Sequence, residues 1–103
     1  MVRLGTCERR TSDRLPARHP AVLRDSTGAV LLCARAINVS ESGVFVVATA
    51  TTDLDFPREA VLEMETRRGD GAPVLNVYRC RVVRCRRQGA LVGVGLELVE
   101  KLV

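Results

Sequence analysis

An all-β domain is what this sequence predicts, and three observations carry the prediction. The chain has 103 residues, the size of one domain around a single core. It is 47% hydrophobic but has only Phe45, Phe56 and Tyr78 as aromatics, so the core must be built from Val, Leu, Ile and Ala. That composition favours strands. Six or so short apolar segments recur between turn signals at regular spacing. This points to a six-stranded antiparallel β-barrel, an architecture that removes exposed strand edges.

Residues 1–19 are polar and arginine-rich, follow neither a helical nor a strand period, and end among Pro16 and Pro20. They read as a flexible basic N-terminal arm, with residues 20–103 as the barrel. Ala21 to Asp25 is a first short strand, Ser26-Thr27-Gly28 a turn, and Ala29 to Asn38 a longer second strand. The polar segment Asn38 to Gly43 then interrupts. Val44 to Ala50 is a third strand, apolar on both faces, and the threonine-rich connection marked by Pro57 has room for a helical turn. In Ala60 to Arg67, Leu62 and Met64 alternate with Glu63 and Glu65, the pattern of a half-buried strand. Arg68 to Pro73 closes a hairpin.

From Val74 to Arg87 the alternation changes parity: Arg79 and Arg81 share one face, Arg84 and Arg86 the other. A bulge at Val82-Val83 returns all four to solvent. After Gln88-Gly89 the last strand points Val92, Val94, Leu96 and Leu98 inward. Its Gly93, Gly95 and Glu97 lie on the opposite face, where glycines permit close approach from outside. Only Val99 to Val103 remain beyond it, so little or no C-terminal helix is expected.

The net charge of +4 is concentrated at one end. Arg3, Arg9, Arg10, Arg14, Arg18 and Arg24 face only Glu8 and Asp13, whereas ten basic and ten acidic residues balance over the rest of the chain. A neutral barrel with a cationic leader calls for an anionic partner. Cys7, Cys33, Cys80 and Cys85 match neither a zinc pattern nor a CxxC redox pair, and scattered thiols point to a reducing compartment. No apolar leader or spanning run is present, so a cytoplasmic protein without membrane insertion is expected. There is no GxSxG elbow, phosphate-cradling glycine loop or metal triad, and His19 has no partner by spacing. No enzyme, catalytic residue, metal or cofactor is expected. Three aromatics are too few for the stacking platforms of a nucleic-acid-binding barrel.

Two polar pieces bracket the first apolar stretch: Arg10-Thr11-Ser12-Asp13-Arg14 and Asn38-Val39-Ser40-Glu41-Ser42-Gly43. The first carries a pair of guanidiniums. The second carries short hydrogen-bonding side chains and a glycine between strand-forming runs. Such parts suit a phosphorylated nucleotide bearing guanine, because the arginine fork donates in pairs to phosphate oxygens or to the O6 and N7 edge of guanine and its flat face stacks on a purine.

In sequence order, Glu8-Arg9-Arg10 with Arg14, Asn38-x-Ser40-x-x-Gly43 and a valine-rich hairpin ending in Gly93-Val94-Gly95-Leu96 resemble a PilZ domain, over roughly residues 8 to 98. The resemblance implies a PilZ-like barrel that binds cyclic di-GMP and passes the signal to an effector protein of flagellar, exopolysaccharide, pilus or regulatory type. It assigns ligand binding to Arg9, Arg10, Arg14, Asn38, Ser40 and Gly43. Asn38 would meet a guanine edge, Ser40 a nearby nitrogen or ribose oxygen, and Arg9 would favour a second stacked nucleotide. Gly43 serves either a turn with positive φ or a ligand lying against the backbone. Arg10 and Arg14 are four apart, so the arm must turn or coil to bring both to one ligand, becoming ordered on binding. The alternative is a PilZ-fold interaction adaptor that binds no nucleotide.

Overall fold

The structure, a computed structural model, describes residues 19–50 and 55–103. They form six strands: β1 (His19–Arg24), β2 (Val30–Val39), β3 (Gly43–Thr49), β4 (Glu59–Arg67), β5 (Pro73–Gln88) and β6 (Leu91–Lys101). Every pairing is antiparallel, and the barrel closes in the order β1-β2-β3-β6-β5-β4 with β4 returning to β1. The expected all-β barrel is therefore present, with no helix among the described residues. Residues 51–54 of the Pro57-marked connection lie outside the description, and residues 55–58 show no helical turn.

Strict alternation decides which side chains enter the barrel. Leu23, Ala34, Ala36, Val44, Val46, Leu62, Met64, Val92, Val94 and Leu96 point inward and are buried. With no aromatic ring inside that set, small and branched side chains interdigitate to fill the lumen. Cys80 is fully buried among them; its thiol donates to the Ala60 carbonyl at 3.4 Å, and burial pushes its pKa up to about 11.

Two tight hairpins are held by aspartates. The Asp25 carboxylate accepts from the Thr27 hydroxyl at 2.6 Å and from the backbone amides of Thr27 and Ala29 at 2.9 and 3.0 Å, while Gly28 takes φ +95°. Asp70 accepts from the Ala72 amide and from Arg68, with Gly71 at φ +86°. These bonds hold both carboxyls below the ordinary aspartate value.

The register of β5 on β6 slips between Val82 and Arg84, where the parity of the arginines places a bulge. A second slip between Arg79 and Cys80, and others in β1–β2 and β2–β3, add to the coiling that closes the barrel. One of these falls between Ala36 and Asn38 and turns Asn38 to the outer face, opposite Phe45. After β6 the chain continues alongside β5, Leu102 donating to the Val77 carbonyl at 2.7 Å.

Candidate ligand-binding site

The β2–β3 connection is built by Ser40 and Gly43. The Ser40 amide donates to the Gly43 carbonyl at 2.9 Å, its hydroxyl donates to the same carbonyl at 3.2 Å, and the Gly43 amide donates back to the hydroxyl at 3.2 Å. Ser42 is tied to β6 through its carbonyl, which accepts from the Leu98 amide at 2.8 Å. A serine hydroxyl has one proton and two lone pairs, so after these bonds one acceptor position is left.

Gly43 does not have positive φ, which rules out one of its two expected reasons. A Cβ at this position would lie 3.1 Å from the Leu96 carbonyl oxygen. The glycine therefore eases the close approach of β3 to β6, a reason not visible along the chain because the two strands meet only through the barrel order.

The outer face beside this turn is ordered in rows by the strand register. Asn38 on β2 lies opposite Phe45 on β3, Phe45 opposite Gly95 on β6, and Gly95 opposite Arg84 on β5. The next row runs Arg35, Val47, Gly93, Arg86. Each row crosses three strand spacings, about 14 Å. An open depression of about 390 Å³ lies over the first row, lined by Asn38, Ser40, Gly43, Phe45, Arg84 and Gly95 among others, none of them acidic.

Asn38 and Ser40 are exposed, as are Arg84 and Arg86, and neither arginine has a hydrogen-bond or ion-pair partner among the described residues. Positive charge on Arg84 therefore borders the depression, and Arg86 extends it one row further along β5. By contrast, the groove over Val22, Cys33 and Leu75 has Arg35, Glu63 and Glu65 on its rim, with Glu63 paired to Arg24 at 3.1 Å, and so has no excess of positive charge. Among the described residues no group of three His, Cys, Asp or Glu gathers as a metal site, and no helix is long and apolar enough to cross a membrane.

Three of the six expected site residues, Asn38, Ser40 and Gly43, thus come together at one depression. Arg9, Arg10 and Arg14 lie outside the described residues. What can be located is their point of attachment: His19 opens β1 opposite Ala36, two residues short of Asn38. The family description "PilZ domain" matches this chain over residues 8–102, a span that holds both the RxxxR and the NxSxxG segments. The chain belongs to the PilZ domain family. Comparisons with curated proteins and with solved structures return no match.

PilZ domains are in general cyclic di-GMP-binding adaptors rather than enzymes. In this PilZ domain the depression at the NxSxxG turn also includes Phe45 and Arg84, which lie outside either motif, and Arg86 stands one row further along β5. The signals for the two arginines are local to the chain, namely the parity change at Val82-Val83 and the glycines at 93 and 95. Their nearness to Asn38 follows only from the strand order of the barrel, which no local pattern encodes.

Proposed function

We propose that this PilZ domain is a cytoplasmic cyclic di-GMP sensor whose N-terminal arm closes over ligand held at the Asn38–Gly43 turn, and whose ordered arm presents a new surface to an effector protein. The observation that carries this reading is the register of β1 on β2, which brings the arm's junction at His19 to the same rim as Asn38. Arg14 precedes His19 by five residues. Five residues reach at most about 17 Å when extended, enough to bring a guanidinium over the turn. Arg10, four residues further out, reaches the more distant phosphate, and Arg9 beside it adds a third cation.

The chemistry is complementary. Cyclic di-GMP carries two phosphodiester charges and two guanines. Arg10 and Arg14 supply paired donors for phosphate oxygens or guanine edges. The Asn38 amide offers both a donor and an acceptor to a guanine edge, and the free acceptor position on Ser40 suits a guanine N–H. Gly43 keeps β3 and β6 close, so that the turn stays level with the floor of the depression.

Calorimetric titration of the full chain tests the proposal, using cyclic di-GMP beside GTP and a linear guanine dinucleotide. The cyclic ligand binds most tightly. Charge-assisted hydrogen bonds contribute about 1.5–3 kcal/mol each, so Arg14→Ala lowers affinity by roughly ten- to a hundredfold. Hydrogen exchange in residues 1–18 slows on saturation with ligand. A wild-type chain that ignores cyclic di-GMP at millimolar excess overturns the reading and leaves a nucleotide-independent adaptor.

A further inference from the structure

The two glycines of β6 seat an aromatic ring. A Cβ on Gly93 would lie 2.6 Å from Phe45 Cζ, and one on Gly95 would lie 3.9 Å from Phe45 Cδ1, so the ring spans both positions against the β6 backbone. Phe56 and Tyr78 pack against the barrel core, whereas Phe45 is outside it and half-buried. It forms a wall of two depressions at once: the one over Asn38 and Ser40, and a second of about 460 Å³ that continues past Val47 to Arg86 and Gln88. Arg84 and Arg86 stand opposite the same two glycines.

A ring laid over strand glycines stabilises a sheet by itself. The arginines indicate more than that role. Earlier in β5, Arg79 and Arg81 face the same neighbouring strand and are ion-paired with Glu100 and Glu97 at 2.9 and 3.0 Å. Arg84 and Arg86 have glycines there instead, and keep their guanidiniums available beside an aromatic face. An aromatic face next to unneutralised guanidiniums is the combination that takes a planar base with an attached phosphate.

We propose that the β3–β6–β5 wall is a second recognition half of the site, in which the Phe45 ring stacks a purine of the bound nucleotide and Arg84 and Arg86 hold its phosphate. The inference rests on the cyclic di-GMP reading and deepens it. The ligand then spans from Asn38 to Arg84, with the turn reading one base and the ring carrying the other.

The test is titration of the full-length wild type, Phe45→Leu, Arg84→Ala and Arg86→Ala with cyclic di-GMP, together with NMR of the Phe45 ring protons. Each variant loses about tenfold in affinity, the scale of one stacked base or one charged contact. Stacking moves the Phe45 ring resonances upfield on saturation and leaves those of Phe56 in place. Thermal unfolding monitors the fold, and the two arginine variants alter exposed side chains only, so they report even if Phe45→Leu loosens the sheet. If wild type binds but both arginine variants stay within about twofold and the Phe45 resonances do not move, the second half is overturned while the sensor reading stands. If wild type does not bind, the sensor reading itself fails and this inference falls with it.

Discussion

On either side of the bulge between Val82 and Arg84, β5 presents two arginines to β6, and β6 answers each pair differently. Before the bulge, Arg79 and Arg81 meet Glu100 and Glu97 and their charge is neutralised. After it, Arg84 and Arg86 meet Gly95 and Gly93, whose missing side chains leave room for the Phe45 ring and leave the guanidiniums unpaired among the described residues. The first half is a solvated structural face. The second is chemically incomplete on its own, and it borders the Asn38–Gly43 turn. Charge count alone does not distinguish them; what the neighbouring strand supplies does.

Converting the open half into the closed one is the strongest challenge to that contrast. Gly95→Glu places a carboxylate beside Arg84, as Glu97 is placed beside Arg81. A Cβ at Gly95 meets nothing closer than 3.4 Å, so the barrel accommodates it. Like-charge repulsion of the phosphates, with loss of the free guanidinium, is expected to weaken cyclic di-GMP binding by roughly a hundredfold or more in calorimetry. Unchanged binding would mean that this wall is outside the site.

Gly93→Ala probes the seat of the ring. With its Cβ 2.6 Å from Phe45 Cζ, the ring must lift. The overpacking costs about 1–3 kcal/mol of stability, readable by denaturant unfolding. A neutral result would show that the ring is not held by the glycine.

The smallest effect is expected in the closed half. Glu97→Gln breaks a pair whose side chains are 47% and 51% exposed, and such pairs contribute at most about 1 kcal/mol. Ligand affinity should stay within about twofold. A large loss of binding there would erase the distinction between the halves.

Much of this arrangement could be read along the chain, and the parts that could not share one cause. Local alternation places Leu62 and Met64 inside, and the misplaced parity of four arginines reveals the bulge near Val83, since charged residues cannot alternate into a core. The slip at Arg79–Cys80 leaves Val99 of β6 without a partner and turns Glu100, which has the parity of the inward Leu96 and Leu98, outward to Arg79; one charge at the end of a strand is a weaker mark than four arginines. Gly43 was expected to serve a turn or a ligand; its neighbour is the Leu96 carbonyl, more than fifty residues away in sequence. Phe45 went unassigned for the same reason. Its partners Gly93 and Gly95 become adjacent only when the barrel inserts β6 between β3 and β5. Motifs confined to one turn are legible from sequence, whereas a site assembled across four strands requires the strand order.

Backbone amide shifts of the full chain, followed as cyclic di-GMP is added, locate the ligand on the barrel. Shifts are expected at Asn38–Gly43, Phe45, Arg84–Arg86 and Gly93–Gly95, with Arg79, Arg81 and Glu100 unmoved. Shifts confined to the Val22–Cys33–Leu75 groove, or none at saturating ligand, would contradict that placement.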